Sequence, residues 1–280
     1  MSTDPRDRLD ERTRRKLLEA AIDMADAMRA RIEHVMAEGF QVQAKADTSL
    51  VTTADIEAEK TFRAWVEARF PEHGVIGEEF GRSRDDAEFV WVVDPVDGTA
   101  EFARDVPFWG SIIGLFHQGL PLLGVIDHPA LGVRCHATHG LGAYLGHRRL
   151  QLGDLSAAEL EGRVRTGTPS KVNYAKRAGH GALFDALCDR HPNIRVLHTC
   201  YTHTQAACGG LDAAIEWNAP IWDVGASQIL VEEAGGCFES MRVYRDAGDE
   251  PLHCVVFGKP ALVASIVEAF EQRLAADGLE

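Results

Sequence analysis

Cysteine is scarce in this chain, and what there is comes unpaired. Cys135, Cys188, Cys200, Cys208, Cys237 and Cys254 are scattered over 280 residues with no CxxC among them. Such spacing supports neither a zinc site nor a disulfide framework, so buried reduced thiols are expected. Basic charge is also short, with 29 Lys and Arg against 43 Asp and Glu and a formal charge of −14. Nucleic-acid binding needs the opposite balance, so no such partner is expected. No apolar run reaches the roughly 20 residues needed to cross a bilayer, and no membrane contact is expected. The first 16 residues are crowded with charge and lack the apolar centre of a secretory signal, which predicts a cytoplasmic protein. Repeats and low-complexity tracts are absent as well.

What is present suits one large globular unit or two closely packed halves, because 45% of the residues are hydrophobic. The acidic balance sets a condition on function. An anionic substrate is repelled unless local positive charge is supplied, and bound metal ions supply it.

Periodicity predicts a long amphipathic helix over 10–38, with Leu18, Ala21, Ile22, Ala25, Met28, Ile32, Val35 and Met36 inward and Gly39 as its stop. A second helix is predicted over 53–69, with Ile56, Phe62, Trp65 and Val66 inward. Val75-Ile76-Gly77 reads as a short strand with Glu78-Glu79 at its end. Phe89-Val90-Trp91-Val92-Val93 is a continuous apolar run, the mark of a strand buried on both faces. Strands over 111–116 and 122–127 and a hairpin-like stretch over 134–150 follow. Beyond a soft boundary near 150–162, strands over 164–167, 194–198, 213–217 and 254–258 alternate with helices over 179–190, 202–209, 223–234 and 260–274. A hairpin is predicted around Gly235-Gly236. The predicted halves are residues 1–150 and 151–280, packed as one catalytic unit.

The buried strand runs into Asp94-Pro95-Val96-Asp97-Gly98-Thr99. Magnesium takes hard oxygen ligands and keeps positions for water and phosphate, so a few rigid carboxylates suffice. Pro95 leaves the ladder and turns the chain, which brings Asp97 back beside Asp94 and can aim the Val96 carbonyl inward. Gly98 admits a close backbone approach, and Thr99 is read as the cap of a helix whose N–H groups suit phosphate oxygen. Each part also has an ordinary reading. The motif can be a polar turn, Glu78 a surface residue and Asp223 the N-cap of the helix after it.

Taken together, the segments resemble the inositol monophosphatase superfamily over nearly the whole chain. They are Lys45 with Ser49-Leu50-Val51-Thr52 and Asp55, then Gly77-Glu78-Glu79, then Asp94 to Phe102, then Trp222-Asp223 with Glu233-Ala234-Gly235-Gly236. The resemblance implies a mixed α/β (α+β) fold, layered α-β-α-β-α, and a magnesium-dependent phosphomonoesterase with two or three Mg2+ ions. It implies that Glu78, Asp94 and the Val96 carbonyl hold one metal and that Asp94, Asp97 and Asp223 hold another. The resemblance also implies a third, weaker ion on Glu78 through waters. By the same resemblance, Thr99 with Glu78 would polarise the attacking water, Asp55 would support Thr99, and the Gly98 and Thr99 N–H groups would hold phosphate oxygens. A homodimer is the common assembly that the resemblance brings.

The substrate it implies is a small soluble phosphate ester. Glu216 lies seven residues before Asp223, where inositol phosphatases place a carboxylate on sugar hydroxyls; there it can equally pair with an ammonium group. Gly77 to Gly81, the run from Phe102 to Trp109 with Arg104 inside it, and Thr199-Cys200-Tyr201 resemble the histidinol-phosphatase branch. Histidinol phosphate is therefore the first expectation. Inositol 1-phosphate or another sugar or nucleotide phosphate is the alternative, and a non-enzymatic scaffold is a third class. Arg104 is expected at the phosphate, and His203 and Trp217 in the pocket. Lys171, Lys176 and Arg177 are the candidates for a second phosphate.

Overall fold

Asp10 starts the first helix by accepting the Thr13 N–H at 2.7 Å, and α1 runs Glu11–Glu38 until Gly39 turns the chain. The computed structural model describes residues 3–45, 49–197, 199–246 and 248–279. Strands β1 (Val42–Ala44) and β2 (Leu50–Thr52) pair antiparallel and lead into α2 (Thr53–Arg69). A capping box sets that helix: Thr52 caps it, and the Asp55 carboxylate takes the Thr52 N–H at 2.8 Å.

Strands β3 (Gly74–Gly77), β4 (Gly81–Ser83) and β5 (Phe89–Asp97) come next, then the one-turn helix α3 (Thr99–Phe102). Strands β6 (Gly110–His117), β7 (Leu120–His128), β8 (Val133–Thr138), β9 (Gly142–Leu145) and β10 (Arg148–Arg149) complete an eight-stranded sheet. Its order is β10-β9-β8-β7-β6-β5-β3-β4, with β3 and β5 parallel and every other pair antiparallel.

After α4 (Ala157–Leu160), strand β11 (Thr166–Thr168) starts the second sheet. Helices α5 (Lys171–Ala175) and α6 (Gly181–Arg190), strand β12 (Ile194–Val196), helix α7 (Cys200–Cys208) and strand β13 (Ala213–Ala219) follow. Two short helices, α8 (Ile221–Val224) and α9 (Ser227–Glu233), precede β14 (Cys237–Arg245), β15 (Pro251–Gly258) and the closing α10 (Pro260–Ala276). The second sheet is ordered β12-β11-β13-β15-β14.

Three apolar clusters hold five layers together. Helices α1 and α2 pack Met24, Met28, Ile32 and Phe62 on Trp91, Val93, Ile113 and Val125 of the first sheet. The opposite face of that sheet (Ile112, Ile126, Cys135) meets α7 and α9 through Ala206, Ala207, Ile229 and Leu230. These meet Ala214, Val255 and Phe257 of the second sheet. Its far face buries Ile215, Trp217 and Val256 against Tyr174, Leu183, Ile266 and Phe270 of α5, α6 and α10. Burying each large side chain of this kind contributes about 1.5–3 kcal/mol. The order is the expected α-β-α-β-α.

Several local expectations are corrected. On α1 the buried stripe includes Leu17 and Met24, whereas Leu18 and Ile22 are half-buried and Met36 is 40% exposed. On α2, Ile56 and Trp65 are half-buried, and the polar Asp55 and Glu59 are buried instead. Gly225 and Ala226 divide the expected 223–234 helix in two. The late hairpin joins β14 and β15, with Arg245 paired to Pro251, and Gly235-Gly236 link α9 to β14. Strand β12 ends at Val196; of its expected span, His198 lies outside the described residues.

One backbone approach matters for the site. Gly114 on β6 and Gly124 on β7 face each other across the ladder. A Cβ on Gly114 would come within 2.5 Å of the Gly225 carbonyl oxygen, and one on Gly124 within 2.8 Å of that of Ala226. The missing side chains make a dent in the sheet where the α8–α9 junction sits. That contact fixes α8, which carries Asp223.

Candidate active site

Asp94 is buried near the end of β5, where its Oδ1 accepts the Val96 N–H at 3.0 Å across Pro95. Instead of ending at Asp94, the strand continues to Asp97 through an irregular register, and the Ser111 hydroxyl holds the Pro95 carbonyl at 2.7 Å. The displaced turn returns Asp97 to the side of Asp94. The Cys200 N–H at the start of α7 donates to Asp97 Oδ2. Asp223 arrives on α8, as its third residue and not as an N-cap. One carboxylate oxygen from each of Asp94, Asp97 and Asp223 lies within 4.8 Å of the others. Glu78, just past β3, lines the same cleft of about 530 Å3, together with Val96, Gly98, Thr99, Arg104 and Trp222.

This arrangement is electrostatically loaded. Burial, then the charges of Glu78, Asp97 and Asp223, pushes the Asp94 carboxyl well above the ordinary carboxylate range. Burial, then Asp97 and Glu78, does the same to Asp223. Glu79 is pushed up to about 7 by burial and by Glu78. Carboxylates crowded this closely around the buried Asp94 call for a countercharge, and hard oxygens in this number are the donor set of a Mg2+-type cation. Lys45 provides one countercharge, with Nζ 2.7 Å from Glu78 Oε1 and 2.9 Å from Glu79 Oε1. Burial favours its neutral amine, yet the two glutamates hold it charged, above its ordinary range.

Thr99 is the first residue of α3, not its cap. Gly98 takes the cap position at φ 86°, a conformation open to glycine. A Cβ there would also press on Thr199 Cγ2 at 2.8 Å. Thr99 Oγ1 lies 3.1 Å from Asp55 Oδ1 and 3.0 Å from the Val96 carbonyl, and its single proton serves one of them at a time. Burial pushes Asp55 up to about 6 against the opposing hydrogen bonds from Thr52.

The remaining expected residues lie at different depths. Arg104 is exposed at the cleft mouth, where Nη1 donates to the Ala100 carbonyl at 2.8 Å. Glu216 and His203 are buried and border a narrower space that they share with Thr199, Asp97 and Asp223. His203 has both ring nitrogens occupied, by Glu216 and Ser227, and offers neither to a ligand. Trp217 is in the core behind the second sheet, stacked on Tyr174 at 5.3 Å, and its indole N–H donates to His180; it does not line the pocket. Lys171 is paired with Asp185, and Arg177 lies over the Tyr244 ring at 3.5 Å. The charge of Lys176 does reach Asp223. Sequence reasoning passed over the Cys200 N–H, the Lys45 pairings and Ser227. Lys45 carried a signal as part of the first resembling segment, though its partners were not read from it.

Comparison with known proteins adds a second line. A profile described as the inositol monophosphatase family matches residues 13–273. The histidinol-phosphatase of Mycobacterium tuberculosis is 36% identical over 205 residues, 72% of this chain and 78% of that protein. The histidinol-phosphatase of Chlorobaculum parvum is 32% identical over 221 residues, 79% of this chain and 84% of that one. Among solved structures, the inositol monophosphatase of Anabaena (Nostoc) superposes with a TM-score of 0.76 at 25% identity, covering 94% of this chain and 98% of that one.

Proposed function

Since the chain belongs to the inositol monophosphatase family and is a phosphoric monoester hydrolase, we propose that it hydrolyses histidinol phosphate with magnesium at the carboxylate cluster. Enzymes of the family are generally metal-dependent. The observation that carries the site is the convergence of the buried Asp94 with the half-buried Asp97 and Asp223 beside Glu78, with the Asp94 and Asp223 carboxyls pushed up by burial and by the neighbouring acidic charges. Glu78, Asp94 and the Val96 carbonyl would hold one ion, and Asp94, Asp97 and Asp223 another, with a third on Glu78. Bound magnesium acidifies water and neutralises charge on a phosphoryl group. Asp55 Oδ1 accepts the Thr99 proton, which leaves the Thr99 oxygen free to take a proton from the hydrolytic water. Gly98 and Thr99 N–H groups hold phosphate oxygens, and Arg104 closes the mouth. The halves 1–150 and 151–280 work as one unit, since Glu78, Asp94 and Asp97 come from the first and Asp223 and Glu216 from the second.

Histidinol phosphate is favoured by the two histidinol-phosphatase relatives and by a carboxylate, Glu216, suited to an ammonium group. Inositol 1-phosphate is the second reading, favoured by the same carboxylate as an acceptor for sugar hydroxyls. A homodimer in the cytoplasm is part of the proposal. The test is phosphate release from histidinol phosphate, inositol 1-phosphate and adenosine bisphosphate, with magnesium and with EDTA. Histidinol phosphate should lead by about tenfold or more, the scale of one well-placed polar contact. EDTA should abolish turnover. A lead for inositol 1-phosphate would transfer the assignment, and turnover unaffected by EDTA would refute the metal site.

A further inference from the structure

Glu216 is only 3% exposed, on β13. His203 Nε2 on α7 lies 2.9 Å from its Oε1, and His203 Nδ1 lies 2.9 Å from Ser227 Oγ on α9. Phe257 stands edge-on to the imidazole at 5.2 Å and closes off one side. Three elements from two layers thus converge on one carboxylate. The other oxygen, Oε2, is buried and has no hydrogen-bond partner among the described residues. Glu216 as a residue borders the narrow space that it and His203 share with Asp97, Thr199 and Asp223. A buried acceptor without a donor is costly, so its retention beside the reacting carboxylates points to a donor that arrives from outside. A carboxylate only accepts, so with Glu216 ionised Nε2 carries the proton and Nδ1 accepts from the Ser227 hydroxyl. The carboxylate is planar, so pinning Oε1 fixes where Oε2 faces.

We propose that His203, clamped by Ser227, is a positioning residue for substrate selection. It holds Glu216 so that Oε2 alone faces the reacting carboxylates, as a single acceptor for a hydrogen-bond donor on the non-phosphate end of the substrate. His203 itself does not touch the substrate. This rests on the phosphatase reading above and extends it from Glu216 to the residues behind it.

The test compares steady-state kinetics of the magnesium-loaded wild type with His203→Leu, His203→Gln, Ser227→Ala and Glu216→Ala. Three esters are used: histidinol phosphate, whose free end offers an ammonium; inositol 1-phosphate, which offers hydroxyls; and p-nitrophenyl phosphate, which offers no donor there. In His203→Leu, the ratio of kcat/KM between the preferred ester and p-nitrophenyl phosphate should fall about tenfold, through KM, as expected when a charge-assisted hydrogen bond is lost. His203→Gln, whose amide nitrogen reaches the Nε2 position, should recover most of it. Ser227→Ala, which removes only a hydroxyl, should raise KM for the preferred ester by about threefold. In a Glu216→Ala background, His203→Leu should add nothing to the loss of preference. An unchanged ratio in His203→Leu, or an unchanged KM in Ser227→Ala, overturns the proposal. Preference lost in Glu216→Ala but kept in His203→Leu overturns it alone. Hydrolysis of none of the three esters by the wild type overturns the phosphatase reading as well.

Discussion

Asp94→Asn keeps the shape of the side chain and removes one charge from a crowded group. In the magnesium-loaded enzyme, kcat should fall by about a thousandfold or more, because the residue expected to serve two ions is lost. In the metal-free protein the same change should stabilise the fold, and the sign follows from the raised pKa. The unfolded Asp94 ionises near 3.8, while the folded one resists ionisation to much higher pH. The wild type therefore loses stability as pH climbs above that value, and the Asn variant is spared the loss. With EDTA present, the variant should melt several degrees above the wild type at pH 8 and level with it at pH 3, as scanning calorimetry would read. A gap that stayed constant with pH would deny the electrostatic origin. Asp55→Asn acts on a different step. The Thr99 proton loses its carboxylate acceptor, and kcat should drop about 100-fold, within the range of positioned acid–base groups. Phosphate release with KM little changed is the expected pattern.

At the scale of elements, the site depends on how α8 is seated. Gly114→Ala would drive a Cβ to 2.5 Å from the Gly225 carbonyl oxygen, backbone that cannot swing aside. The α8–α9 junction must lift from the sheet, carrying Asp223 with it. About 1–3 kcal/mol of stability should be lost, as for other overpacked sites. Magnesium titrated by calorimetry should bind more weakly, whereas unchanged affinity would show that α8 is seated by other contacts. This seating was invisible in the sequence, because the two glycines are far from Gly225 along the chain and only the ladder register pairs them. The Asp94 to Thr99 motif was readable, since a buried apolar strand that runs into Pro and Gly can do little but turn. The cap reading of Thr99 failed because Gly98 adopts a left-handed conformation and takes the cap position itself. The α1 stripe was read correctly at Ala21, Ala25, Met28, Ile32 and Val35 and missed at its edges: 28 residues of helix offer apolar side chains beside the stripe, and only docking on the sheet selects Leu17 and Met24 over Leu18 and Ile22. Likewise the Gly235-Gly236 pair advertised a hairpin that a helix end used instead.

The whole molecule gathers its acidic groups from parts far apart in sequence. Glu78, Asp94 and Asp97 belong to the first sheet and its edges, Asp223 to the middle layer, and Glu216 to the second sheet. In a chain of formal charge −14, this meeting point repels itself until cations arrive. Magnesium should therefore act as a staple between layers as well as a cofactor. A ligand at 100 times its Kd adds about 2.7 kcal/mol to stability. For a chain of this size that corresponds to a rise in Tm of roughly 5 °C at pH 8. The rise should fade toward pH 5, because Glu79 at about 7, Asp55 at about 6 and the raised Asp94 and Asp223 take up protons in competition with the metal. Sodium chloride at equal ionic strength separates a bound ion from simple screening. A bound ion predicts a Tm shift that saturates with magnesium and is much smaller with sodium, whereas matching shifts in the two salts would mean that the carboxylates are screened and not bridged.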